Sequence, residues 1–128
     1  MTRVLVVVDE TWSRNDVHSA LTSPDFELVD QHDPTKVAAT VADGEFDAVV
    51  VDLQVSSMGG MAVTRAVREN STVRATAPTP VVLLLDRSAD VFIAGRSGAA
   101  GWVVKPFTAH ELRDAVAGAI DAVAQATE

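Results

Sequence analysis

Ala48-Val49-Val50-Val51-Asp52 is the stretch on which the fold turns: four apolar residues in a row, three of them β-branched, closed by a carboxylate. An unbroken apolar run of this length does not suit a sheet with one wet face. It suits a strand buried on both sides, as in a parallel sheet covered by helices. The same composition recurs upstream from Val4 to Val8 and downstream from Val81 to Leu85. Two weaker strands fit around them, Phe26 to Val29 and Gly101 to Val104, which makes five.

The segments between these strands carry helical spacing. Trp12 to Leu21 places Val17, Ala20 and Leu21 on one face, with Thr11 or Ser13 available as N-cap. A second helix starts at Asp33-Pro34, an N-cap followed by proline at the first helical position, and carries Val37 and Val41 four apart. A third spans about Gly60 to Glu69 with Val63 and Val67, and Asn70 to Thr79 reads as a polar, proline-bearing loop. The fourth is short, near Ala89 to Arg96, and contains Gly95, a poor helix former. The last, Thr108 to Ala124, repeats Leu112, Val116, Ala119, Ile120 and Val123. Alternation of strand and helix predicts an α/β architecture with right-handed crossovers and helices on both faces.

The length of 128 residues suits a single domain over 1–128, and 48% hydrophobic residues supply its core. A formal net charge of -8 disfavours direct contact with phosphate backbones or anionic membranes. Cysteine is absent, which excludes disulfides and thiolate metal sites. Neither a secretory h-region nor a membrane-length apolar stretch occurs, so a cytoplasmic location is expected.

In a parallel α/β sheet the reactive groups gather at the carboxyl ends of the strands. Strand 1 ends in Asp9-Glu10, strand 3 in Asp52 and strand 5 in Lys105-Pro106. Taken singly, each is an ordinary strand-closing polar residue. Together they would bring two acids to one lysine, and Lys105 is one of only two lysines in the chain.

Over essentially its whole length the sequence resembles the receiver domain of two-component response regulators. Val4-Leu5-Val6-Val7-Val8-Asp9-Glu10 looks like the family's first strand and acidic pocket, and Val49-Val50-Val51-Asp52-Leu53 like its phosphoacceptor strand. Val103-Val104-Lys105-Pro106-Phe107, preceded by Gly98-Ala99-Ala100-Gly101-Trp102, is similar to the fifth strand and its lysine. The resemblance implies a flavodoxin-like, doubly wound sheet in strand order 2-1-3-4-5. It implies Asp52 as phosphoacceptor and magnesium held by Asp9, Asp52 and the carbonyl of Gln54, with Glu10 as a further pocket acid. Lys105 would pair with the phosphoryl group, and the bond before Pro106 would be cis, which X-Pro bonds tolerate.

Three departures from the family stand out. In the register that aligns the first strand, Val8 replaces one of the pocket acids; a shift by one residue would instead make Asp9 and Glu10 the pair, and both registers stay open. The switch hydroxyl of strand 4 is replaced by Leu85, which cannot donate a hydrogen bond, and Asp86 follows it, adding like charge beside an acyl phosphate. Gln54-Val55-Ser56-Ser57-Met58-Gly59-Gly60 has lost the family's proline after the acceptor. Trp102 stands at the place of the switch aromatic.

The expected function is a stand-alone receiver that takes a phosphoryl group from a histidine kinase or small donor and signals through protein contacts. Its partner or homodimer face would be helix 4, strand 5 and helix 5, with Trp102, Phe107 and Glu111. The alternative is a pseudo-receiver that binds a partner without phosphorylation. An enzyme is not expected: a hydrolase would want its nucleophilic Asp on the first strand with an acid two residues on. The segment Thr11-Trp12-Ser13-Arg14 lacks the glycine of a phosphate-cradling loop. His18, His32 and His110 are scattered and read as surface or packing residues.

Overall fold

The computed structural model of the chain describes residues 1–54, 59–74 and 76–126. The three strongly apolar runs form the inner strands of one parallel sheet, β1 (Thr2–Val7), β3 (Ala48–Asp52) and β4 (Val81–Leu85). The weaker runs, β2 (Phe26–Asp30) and β5 (Gly101–Val104), form its edges, giving the order β2-β1-β3-β4-β5. Position in the sheet explains the composition. Every residue of β3 and β4 is buried, whereas β2 has none fully buried and β5 only Val103.

Among the described residues five α-helices cover the faces: α1 (Thr11–Ala20), α2 (Val37–Asp43), α3 (Gly60–Val73), α4 (Val91–Arg96) and α5 (Ala109–Ala126). The period-two alternation of strands sorts the core into two layers. Val4, Val6, Val8, Val50, Val82 and Leu84 pack with Val17 of α1 and Leu112 and Val116 of α5. Leu5, Val7, Val49, Val51, Leu83 and Leu85 pack on the other face with Val37, Val63, Val67 and Ala94. Each such side chain, fully buried, contributes about 1.5–3 kcal/mol, so the two layers dominate the stability.

Local signals were realised with some changes. Asp33 caps through its side chain, accepting from Thr35 N at 3.0 Å, but the turn it opens, Pro34–Lys36, is a 3-10 turn that runs into α2. Neither Thr11 nor Ser13 caps α1: Glu10 holds the cap position without a side-chain bond, and Ser13 is buried. The predicted loop from Asn70 begins late, because α3 continues to Val73. Ser71 and Thr72 turn their hydroxyls onto the Arg68 carbonyl at 2.8 and 3.0 Å, which lets these polar residues stay helical. α4 is as short as expected and follows a 3-10 turn, Ser88–Asp90.

α3 meets the end of β3 at very close range. A Cβ on Gly60 would stand 2.6 Å from the Asp52 carbonyl oxygen and 2.8 Å from Leu53 Cα, so only glycine lets the helix start there.

Candidate functional site

The alternation that builds the core also aims the polar residues at the strand ends. Asp52 shares the parity of Ala48 and Val50, and Lys105 that of Val103, so both side chains belong to the face covered by α1 and α5. There they meet. Lys105 Nζ lies 2.5 Å from Asp52 Oδ2, and the two side chains are only 10% and 6% exposed. Asp52 Oδ1 accepts from the backbone N–H of Gln54 at 3.2 Å. The peptide bond between Lys105 and Pro106 is cis, and Lys105 N donates to the Leu85 carbonyl at 2.7 Å.

A third carboxylate joins them. Asp86 Oδ1 is 3.2 Å from Lys105 Nζ, a contact that follows from the pairing of Leu85 with Val104, because the next residue of each strand continues the register. Burial depresses the affinity of the ammonium for its proton, but bonds and charge from Asp52, then Asp86, outweigh it and hold the lysine above its ordinary pKa. Trp12 of α1 overhangs the same point, with Lys105 Nζ 5.9 Å from its ring centre. Trp12, Ser13, Asp16, Asp86, Lys105 and Phe107 line a cavity of about 260 Å³ beside the ion pair.

The first strand delivers a different arrangement from the acid-rich pocket. Val8 is 2% exposed and packs into the apolar layer with Val17 and Leu112, on the same face as Asp52. Asp9 and Glu10 lie just past the strand end and are exposed. The guanidinium of Arg14 ties this turn down, donating to the Val8 carbonyl at 2.9 Å and to that of Asp9 at 3.2 Å. Leu85 is fully buried on the opposite face, where Trp102 packs half-buried against the same layer. Ser88 opens the 3-10 turn, exposed. Val55 to Met58 lie outside the described residues. His18 and His110 sit in local pairs with Asp30 and Asp114 at 2.9 and 3.0 Å, apart from the Asp52 cluster.

A family model for the response regulator receiver domain matches residues 4–117. The chain belongs to the response regulator receiver family. This receiver is 28% identical over 115 residues to the chemotaxis protein CheY of Pseudomonas aeruginosa, covering 89% of this chain and 92% of that protein. Identity is 38% over 116 residues with a protein-glutamate methylesterase/protein-glutamine glutaminase of Anaeromyxobacter dehalogenans, covering 81% of this chain but 29% of that protein. It is 26% over 115 residues with the response regulator ArlR of Staphylococcus saprophyticus, whose length the chain spans by about half, 49%, with 88% of this chain covered. Among solved structures, Vibrio cholerae CheY4 superposes with a TM-score of 0.77 at 26% identity, covering 93% of this chain and 98% of that one. The receiver domain of a Pseudomonas aeruginosa sensor histidine kinase, crystallised with magnesium in its active site cleft, gives 0.79 at 20% identity over 94% and 98%. That last likeness is one of fold alone.

Among the described residues, no three acidic or histidine side chains gather closely enough to enclose a metal. The groups that would hold magnesium at the ends of β1 and β3, the carboxylates of Asp9 and Asp52 and the carbonyl of Gln54, are all oxygens. Such a set fits a magnesium ion that keeps much of its water, not one caged by protein. In the described residues no helix is long and apolar enough to cross a membrane.

Proposed function

We propose that this receiver accepts a phosphoryl group on Asp52 from the phosphohistidine of a histidine kinase or from a small phosphodonor, and passes the signal on through protein contacts. The observation that carries the reading is the buried pair of Asp52 with Lys105 at the carboxyl end of the sheet. A carboxylate oxygen of Asp52 attacks phosphorus in line with the leaving group. The bond from phosphorus to the donor's nitrogen or oxygen breaks, the departing imidazole or carboxylate takes the electron pair, and an acyl phosphate remains. Lys105 loses a carboxylate charge at Asp52 and gains a phosphoryl oxygen in its place, so its ammonium stays paired throughout. The backbone N–H of Gln54 holds the attacking carboxylate in orientation. Magnesium on Asp9, Asp52 and the Gln54 carbonyl, with Glu10 beside it, would neutralise charge on the transferring group.

The output surface in this reading is α4, β5 and α5, with Phe92 of α4 70% exposed, Trp102 on β5, Glu111 on α5 and Phe107 in the segment between β5 and α5. A phosphorylation-independent partner module is the second reading, favoured by the buried Leu85 and Val8 in positions that would otherwise carry a hydroxyl and an acid. The two separate on one experiment. Acetyl phosphate with magnesium should add one phosphoryl group to the intact protein by mass, and Asp52→Asn should abolish it. Unmodified wild type, or modification that survives Asp52→Asn, would refute the acceptor reading.

A further inference from the structure

Among the described residues, Asp86 is the one acid besides Asp52 that bonds the buried lysine, 3.2 Å from Nζ and itself 48% exposed. Arg87, the adjacent cation, does not neutralise it, because that guanidinium is engaged with Asp90 at 3.0 Å. An ammonium has three donors but one charge, so Lys105 can bond both carboxylates without fully cancelling either. Both carboxylates touch one nitrogen and therefore lie within about 6 Å of each other. At that separation two like charges shift an equilibrium roughly threefold in water and roughly a hundredfold at an effective dielectric of about 20. A phosphoryl group arriving at Asp52 meets this second charge and must also share the donor that Asp86 holds.

We propose that Asp86 is a positioning residue that acts through Lys105: it holds the lysine tip and restrains the entry of a phosphoryl group at Asp52. The proposal rests on the reading of Asp52 as acceptor. Asp86 accepts one N–H of Lys105 before and after transfer, while the others pass from Asp52 to the phosphoryl oxygen. Removing its charge frees the ammonium for the incoming group. Lengthening the side chain while keeping the charge does not.

The test compares initial rates of phosphorylation by acetyl phosphate, at fixed magnesium and pH, in wild type, Asp86→Asn and Asp86→Glu. The asparagine variant should react about tenfold faster, since the site is half exposed and screening takes part of the effect, and the glutamate variant should stay near wild type. An asparagine rate within twofold of wild type, or below it, overturns the proposal. A side-chain 15N–1H spectrum supplies a readout independent of the reaction. The chain has two lysines, exposed Lys36 and buried Lys105, so Asp86→Asn must move one ammonium resonance and leave the other. If neither wild type nor Asp86→Asn is phosphorylated, the acceptor reading of Asp52 fails, and an unmoved lysine resonance overturns the role of Asp86 as well. Phosphorylation of Asp86→Asn where wild type stays silent supports the restraint by Asp86 and refutes phosphoryl acceptance by the wild-type chain.

Discussion

Val8→Asp puts the first-strand pocket to the test, because it would place an acid where one of the two open registers expects it. Val8 is 2% exposed and packs against Val17 and Leu112, with the Asp52–Lys105 pair further along the same face. Loss of the valine's burial costs about 1.5–3 kcal/mol. A carboxyl group in that apolar layer adds about 1–3 kcal/mol even when it protonates to escape the charge. The sum, about 2.5–6 kcal/mol, lowers the melting temperature by roughly 10–25 °C for a domain of this size. Burial raises the folded-state pKa of the introduced carboxyl, so the unfolded chain ionises first and gains stability above about pH 4. The deficit against wild type should therefore be about that sum near pH 4, where the carboxyl is largely protonated in both states, and grow towards pH 7. Thermal melts at both pH values and a calorimetric titration with magnesium decide the matter. A variant that melts within about 2 °C of wild type and binds magnesium tenfold more tightly would show that Val8 borders an open pocket, and the burial argument would be wrong.

Lys105 carries its own pH signature. Its folded pKa lies above the ordinary value of 10.5, so the stabilisation from its two carboxylates is complete below that value and is lost as pH rises through the folded one. The urea midpoint of wild type relative to Lys105→Met should hold steady up to about pH 10 and fall above it; a constant difference would refute the coupling. Because Leu85 offers no hydroxyl to a phosphoryl group, phosphorylation should change Trp102 fluorescence only slightly. The measurement needs a Trp12→Phe background, since Trp12 overhangs Lys105 and would respond directly. A large Trp102 response there would sink the account of Leu85.

How much of this was legible in the sequence depends on the range of the interaction involved. The apolar runs at Val4, Ala48 and Val81 announced strands wet on neither face, and the sheet places them innermost, with the more mixed Phe26 and Gly101 strands at its edges. Strand and helix boundaries drifted where local hydrogen bonds decided them, as at Ser71 and Thr72, whose hydroxyls keep α3 going on carbonyls that no hydrophobic pattern reveals. Asp52 and Lys105 could be brought together from strand ends alone. As a charge beside an acyl phosphate Asp86 suggests only repulsion, although the strand pairing places it more closely. Leu85 and Val104 end strands that must lie side by side, so the residues that follow them, one acid and one base, are neighbours on the same face. What the pattern could not supply was the reach of the lysine: a four-carbon stem long enough to lie along the sheet end and hold Asp86 and Asp52 together. In this receiver the same period-two rule that separates its two cores also selects the charges that share its lysine, and the valine at position 8 obeys that rule as strictly as the acids do.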